Sequence, residues 1–288
     1  MRNRYPGSCR TCRVQVPADA GAAVKESGRW RVYCSEHAPE DAPPGPAGPP
    51  RRGDHPGWHT LDLAGYDSET SSNNPDKAFL VSAALVDASG SARTWLVDPG
   101  DREIPAEAVA IHGISTERAR DEGMPAEQAL EEIADALAAH LRAGRGLVIF
   151  NAPFDLGVLE NELRRRDMKS LAERLGSAPR PIIDPLVIDR GIDPFRKGPR
   201  NLGAMCGFYG VELTEAHTAV ADAAACLSLS REIGARHADV AGLDLHALHD
   251  RQVDWALDYA RRRQEWLERS RPGRSRVIDG TWPISVSP

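Results

Sequence analysis

Five side chains of this chain have types that, brought together, would hydrolyse a phosphodiester: Asp67 and Glu69 in YDSET, Asp155 in NAPFD, and His217 and Asp222 in HTAVAD. In-line attack on phosphorus needs an activated water, a stabilised leaving oxygen and relief of charge, and two divalent ions roughly 3.5–4 Å apart supply all three. Hard cations such as Mg²⁺ take oxygen ligands, so Asp67, Glu69, Asp155 and Asp222 are the candidate metal cage. Without cations these carboxylates would repel one another. His217, whose imidazole has an unperturbed pKa near 6.5, is the candidate general base for the attacking water.

The neighbouring residues indicate how each group would be carried. Residues 59–66 (HTLDLAGY) alternate toward Asp67 as a strand does, and alternation puts Asp67 and Glu69 on one face. Asp155 follows the buried-strand pattern GLVIF at 146–150 and a turn with Pro153, and it opens a helix with Leu156, Leu159 and Leu163 on its apolar side. Asp222 lies within a second helical stretch, with Ala219, Ala223, Cys226 and Leu227 at helical spacing. His217, five residues earlier, falls off that face and belongs to the entering loop. Taken singly these signals are weak. With 42 acidic residues, about six acid-x-acid pairs arise by chance, and an aspartate at a helix start is commonly a cap. The ordered set is what carries meaning.

The segments YDSET, VIFNAPFDLGVLENEL and AHTAVADAAACL resemble the three motifs of the DEDDh 3′→5′ exonucleases, the DnaQ-like group with a ribonuclease-H-like fold. IHGIS at 111–115 resembles the family's segment near the terminal nucleotide, and Ile183-Asp184 the strand before the last helices, so the likeness spans about residues 59–236. The resemblance implies two Mg²⁺ or Mn²⁺ ions on the four acids and His217 as base. It also implies Thr70, His112 and Asn151 as holders of the 3′-terminal nucleotide, and nucleoside 5′-monophosphates as products. Where the family usually reads Glu-Thr-Thr-Gly, this chain has Glu69-Thr70-Ser71-Ser72.

Other patterns fit that fold. Residues 79–86 and 92–97 read as strands joined by the turn Asp87-Ala88-Ser89-Gly90, which makes the first three strands an antiparallel meander. Helices are expected at 125–142, from Asp155 through Arg166, at 201–209 and at 218–236, with strands at 146–150 and near 181–187. The expected class is α/β: a mixed five-stranded ribonuclease-H-like sheet flanked by helices, with a small N-terminal zinc-binding module and a C-terminal helical extension. The expected divisions are 1–39, a linker at 40–58, an exonuclease domain at 59–236 and an extension at 237–288.

Cys9-x2-Cys12 and Cys34-x2-His37 form two chelating knuckles with the spacing of a zinc ribbon, and a segment this small folds only with its metal. A closed four-ligand set implies one structural Zn²⁺. Cys206 and Cys226 fall on apolar helix faces and read as core. Residues 38–58 hold seven prolines and no apolar period, a semi-extended linker. Residues 245–267 read as one helix, and 251–276 carry eight arginines against four acids. That helix is expected to dock through its tryptophans, and a protein partner or a second copy could use it or the zinc module.

No run approaches the roughly 20 apolar residues of a membrane span, and MRNRYPGSCR does not resemble a signal peptide, so the cytoplasm is expected. A net charge of −6 argues against a broadly basic nucleic-acid surface. An enzyme that works at 3′ ends needs only its cations and a local rim, for which Arg164–Arg166, Arg196, Lys197 and Arg200 are candidates. DNA is slightly favoured over RNA. The rival class is a catalytically silent nucleic-acid-binding or adaptor protein, which would have no reason to keep four repelling acids together.

Overall fold

A computed structural model of the chain describes residues 3, 7–16, 21–26, 29–34, 36–37, 48–213, 217–270 and 277–284. The chain forms two compact units, residues 1–49 and 50–288. In the first, β1 (Gly7–Ser8) pairs antiparallel with β2 (Gln15–Val16), and β3 (Gly21–Glu26) with β4 (Arg29–Cys34). Its buried cluster is Cys9, Val16 and Tyr33, a core too small to hold a fold without a cross-link or metal.

The second unit is built on a six-stranded mixed sheet. β5 (Leu63–Thr70), β6 (Leu80–Val86) and β7 (Ala92–Asp98) form the antiparallel meander. Asp87 caps the turn between the last two through the N–H groups of Ser89 and Ser91, and Gly90 takes the positive φ of 86° that the turn demands. α1 (Ala106–His112) and α2 (Thr116–Glu122) follow, separated by Gly113 in the left-handed region. β8 (Met124–Pro125) lies parallel to β7 and leads into α3 (Ala126–Arg142). β9 (Gly146–Val148) runs parallel to β5, and α4 (Ala152–Arg164) and α5 (Leu171–Leu175) come next. β10 (Ile182–Ile183) adds parallel to β9, before α6 (Pro185–Ile192), α7 (Leu202–Tyr209), α8 (Ala219–Arg236), α9 (Ala238–Ala241) and α10 (Leu245–Ser270). The sheet order is β10-β9-β5-β6-β7-β8.

Alternation along β5 divides the core. Tyr66 packs with Leu130, Ile133 and Leu137 of α3 and Leu156 and Leu159 of α4. Leu63, on the opposite face, packs with Cys226, Leu229 and Ile233 of α8 and with Cys206 of α7. Both helical cysteines are therefore core residues, as expected from their spacing.

The structure departs from expectation in several places. The sheet has six strands rather than five, because Met124–Pro125 adds a short edge strand. The strand expected over 181–187 stops at Ile183: Asp184 caps α6 by accepting from Leu186 N, and Pro185 occupies the first turn, where its missing N–H costs nothing. The strand expected over 146–150 stops at Val148, since Asn151 adopts a left-handed conformation to start α4. α1 and α2 were not anticipated because each is only seven residues long, too short to show a helical apolar period. Residues 50–58, expected as the end of a linker, are strapped along α8. Gly53 N donates to Ala235 O, and Trp58 is buried with its indole N–H on Val240 O.

α10 completes the edge of β10. The outward-facing N–H of Ile182 donates to His249 Nδ1, its carbonyl accepts from Gln252 Nε2, and Asp184 N donates to Gln252 Oε1. An exposed edge strand is thereby closed by side chains instead of another strand. Of the tryptophans expected to dock this helix, Trp255 joins the core, whereas Trp266 stays 45% exposed under Arg263. Among the described residues no helix is long and apolar enough to cross a membrane.

Burial lowers the pKa of His249 to about 4, with Arg180 adding to the effect. A histidine held neutral in the fold contributes stability above its unfolded pKa of about 6.5, and that contribution is lost as pH falls toward 4. His249→Gln should flatten this part of the profile. The difference between wild type and variant in urea-unfolding free energy is expected to change by about 3 kcal/mol between pH 7 and pH 4; a constant difference would contradict the assignment.

Candidate active site

Asp67 and Glu69 stand on one face of β5 near its carboxyl end, and a register shift between Glu69 and Thr70 bends the strand away from β6 at that point. α8 approaches this face through Gly65: a Cβ there would lie 2.2 Å from the carbonyl oxygen of Ala223. That backbone contact brings Asp222, in the first turn of α8, against the pair. Carboxylate oxygens of Asp67, Glu69 and Asp222 lie within 4.8 Å of one another.

Asp155 is delivered from the other side, on the first turn of α4. Its Oδ1 accepts from the backbone N–H of Ser68 at 3.1 Å and from Ser68 Oγ at 2.6 Å. It lies outside the set of three mutually close acids, yet its charge is the largest influence on Asp67 after burial. His217 sits at the solvent-exposed rim with φ of 72°, a conformation uncommon outside glycine and asparagine, and its N–H donates to Asp222 Oδ2 at 3.4 Å. Sequence spacing thus placed His217 correctly in the loop before α8, where Thr218 caps the helix.

Electrostatics mark the cluster as cation-seeking. Burial, then Asp155, Glu69 and Asp222, hold Asp67 well above the carboxylate range. Burial and Asp222 push Glu69 up to about 7, with His217 opposing. Burial also drives Asp155 to about 7, against the pull of the Ser68 hydrogen bonds, and it raises Asp222, eased by His217. Oδ1 of Asp222 is buried without a hydrogen-bond partner. Close carboxylates with an orphaned oxygen and no lysine or arginine among the groups that shift them fit divalent cations.

The residues expected around the terminal nucleotide stand at the end of β5, the end of α1 and the start of α4. Thr70 Oγ1 donates to Ser72 O, which fixes the loop after β5. His112 closes α1, accepts from Ile114 N through Nδ1, and has its buried Nε2 unpartnered. Asn151 caps α4 in the left-handed region with no side-chain cap bond. Part of the expected basic rim is engaged in ion pairs with buried acids. Arg165 and Arg166, with Arg102, surround the buried carboxylate of Glu162, and Arg196 and Arg200 clamp the buried Asp189. A carboxylate taken out of water needs such partners, so these arginines are structural. Residues that sequence reading missed are Ser68, Gly65 and Asp184, which accepts from the N–H groups of Asn151 and Ala152 at the start of α4. Only Gly65 carried a signal: a glycine inside a strand marks close approach of another backbone.

In the N-terminal unit Cys9, Cys12, Cys34 and His37 bring one donor atom each within 4.8 Å of the others. The sulfurs of Cys12 and Cys34 are 3.7 Å apart, close to the about 3.8 Å expected of two thiolates at 2.3 Å from one tetrahedral zinc. Burial opposes ionisation of Cys9, but backbone N–H groups of Cys12, Cys34 and Thr11 prevail and lower its pKa to about 6. All five cysteines are free thiols, and this donor set fits a soft tetrahedral ion.

A mixed sheet carries two acids at the carboxyl end of its first long strand, answered by one acid from each of two helices, the arrangement expected of a ribonuclease-H-like fold. The sequence pattern of the RNase_T family, described as exonuclease, matches residues 65–229, and the chain belongs to that family. DNA polymerase III subunit epsilon of Rickettsia conorii is 36% identical over 129 residues, covering 43% of this chain and 50% of that protein. The Rickettsia felis counterpart is 35% identical over the same length and shares. The chain therefore spans about half the length of the curated relatives it matches. Exonuclease I of Methylocaldum szegediense shares the fold, with a TM-score of 0.52 and 22% identity over 62% of this chain and 41% of that one.

Because Glu69 and Asp155 must release protons to hold a cation, Mg²⁺ affinity should rise between pH 6 and pH 8. The sign for stability agrees. Groups whose folded pKa is raised favour the metal-free fold below their unfolded pKa of about 4, and that contribution is lost as pH rises through 7. The Mg²⁺-induced increase in Tm should accordingly be larger at pH 8 than at pH 6; an increase independent of pH would show that these carboxylates are not the ligands.

Proposed function

We propose that the chain is a metal-dependent 3′→5′ exonuclease that removes nucleoside 5′-monophosphates from nucleic-acid ends. The observation that supports this most directly is the meeting of Asp67, Glu69 and Asp222 within 4.8 Å, with Asp155 anchored to the same strand and His217 at the rim. Asp67, Glu69, Asp155 and Asp222 would hold two Mg²⁺ or Mn²⁺ ions, which when bound supply charge neutralisation at phosphorus and a more acidic attacking water. His217, exposed and tethered through its backbone to Asp222, takes the proton of that water on its imidazole. Thr70, His112 and Asn151 hold the terminal nucleotide. DNA is the favoured substrate, since the curated relatives are DNA polymerase III epsilon subunits.

Cys9, Cys12, Cys34 and His37 hold one structural Zn²⁺, and all four positions being protein ligands leaves that ion no open site for chemistry. Thiolate ligands of this kind persist in a reducing compartment, which favours the cytoplasm. The zinc unit and α10 are the surfaces we assign to a protein partner or second copy.

Labelled single-stranded DNA and RNA offered with Mg²⁺, Mn²⁺ or EDTA test the activity. Stepwise shortening from the 3′ end should require metal and vanish in Asp67→Ala. His217→Ala should lower the rate about 10²–10⁴-fold with little change in metal affinity; an unchanged rate removes it as base. Elemental analysis of the purified full chain should find about one zinc, lost in Cys34→Ser together with the structure of the N-terminal unit. A chain folded there without zinc would refute the metal centre.

A further inference from the structure

The family pattern begins at residue 65, so it gives no role to the N-terminal unit. That unit has an electrostatic character of its own. Residues 1–49 hold seven of the chain's 36 lysines and arginines but only five of its 42 acids, which leaves the acidic excess to the catalytic unit. Part of the positive charge gathers around one open pocket of about 340 Å³, whose lining includes Ser8, Arg10, Arg13, Trp30 and Arg31. Among the described residues no acid lines it.

The first cysteine knuckle and β4 build this pocket together. Cys9 N donates to Val14 O and Arg13 N to Cys9 O, in a tight turn that Arg13 closes with φ of 61°. Arg10 N donates to Val32 O, which lays the turn against β4 beside Trp30 and Arg31. Ser8 Oγ accepts from Gln15 Nε2 at 2.9 Å, so its own O–H can still donate. Trp30 is 55% exposed, and Lys25 stands directly across the ladder from it, with its exposed side chain on the same face of the hairpin.

These arginines differ from those of the catalytic unit in being unclaimed. There Arg165, Arg166, Arg196 and Arg200 hold the buried acids Glu162 and Asp189. Arg10, Arg13 and Arg31 form no ion pair among the described residues, and the carboxylate of Glu26 accepts instead from the Tyr33 hydroxyl. Balancing the metal centre does not account for them. Three thiolates around Zn²⁺ leave a single negative charge, which one cation offsets.

Guanidinium forks with no acid among them select phosphate, and an exposed indole offers a face on which a base can stack. A duplex hides the π-faces of its bases, and a free phosphate leaves the indole unused. We propose that this pocket binds single-stranded nucleic acid, with phosphates on Arg10, Arg13 and Arg31 and an unpaired base on Trp30. Residues 38–49 connect this unit to the catalytic one and span at most about 40 Å. A strand held on the N-terminal unit is therefore offered to the acids as an intramolecular ligand. The binding goes beyond the exonuclease reading; only its use, to hold substrate for the acids, rests on it.

The full chain carrying Asp67→Ala, without added Mg²⁺, lets binding be measured with no cutting, and labelled oligothymidylate is the probe. Adding Arg10→Gln and Arg13→Gln should make the slope of log affinity against log salt shallower by about 1.4, the release of two phosphate contacts. Trp30→Ala should weaken binding about tenfold, the loss of one base stack, and should leave the weaker binding of a duplex unchanged. Trp30→Phe keeps a ring in place, so it should retain most of the affinity while losing part of the fluorescence quenching that oligothymidylate causes. Unchanged affinity and salt slope in the variants, equal losses on single strand and duplex, or quenching identical in wild type and Trp30→Phe would each overturn the site. With Asp67 intact and Mg²⁺ present, Trp30→Ala should raise KM for oligothymidylate with kcat within about twofold, and should not alter kcat/KM for the p-nitrophenyl ester of thymidine 5′-monophosphate, which is too short to reach a second site. A wild-type enzyme that cleaves neither substrate would overturn the exonuclease reading and leave the binding result standing.

Discussion

The candidate site depends on how closely α8 can approach β5. Gly65 removes the one side chain that would hold the helix off, and the carbonyl of Ala223 occupies the space. Asp222 precedes Ala223, so the same contact fixes its distance from Asp67 and Glu69. The apolar side chains Cys226, Leu229 and Ile233, one and more turns further along, bury themselves on this face of the sheet. Burial of such side chains is worth roughly 1.5–3 kcal/mol each, enough to hold a helix where its first turn meets like charge. Burial, joined by neighbouring acids for Asp67, Glu69 and Asp155, raises all four carboxyl groups above the usual range.

Asp155 enters under a different constraint. It shares no face with the pair on β5, and it is held by Ser68, the residue that points the other way between them. One oxygen of Asp155 is committed to Ser68 and the strand backbone, so α4 is registered against β5 by the site itself. The arrangement makes β5 the common reference for both helices: Gly65 sets α8, Ser68 sets α4, and Asp67 with Glu69 stand between.

Much of this was readable in residue order. The alternation through YDSET put both acids on one face, and the sequence pattern read Asp155 as opening a helix and Asp222 as lying within one. The five-residue gap separated His217 from α8, and the Cys/His spacing matched a converging donor set. What stayed hidden was tertiary. Nothing local distinguishes Ser68 from any strand serine. The arginines of 164–166 and 196–200 have the composition of a nucleic-acid rim, but the buried carboxylates Glu162 and Asp189 claim most of them. A two-residue strand such as β10 has too little pattern to be bounded from sequence, because its outer edge is satisfied by His249 and Gln252 from a helix more than sixty residues away.

Those edge contacts also make the C-terminal extension part of the site's support. Asp184 is fully buried, and its carboxylate accepts from Asn151 N, Ala152 N and Leu186 N, with the Trp282 indole N–H at 3.4 Å. Its own N–H is satisfied by Gln252 of α10. Burial pushes the pKa of this carboxyl up, and the converging N–H groups restrain that rise. A single acid thus ties the first turn of α4, the start of α6 and both parts of the extension together. Without α10, the outward backbone groups of Ile182 and Asp184 would lose His249 and Gln252 and become an open sheet edge. In this chain the segment beyond the family match is therefore bonded, through Asp184, to the helix turn that carries Asp155.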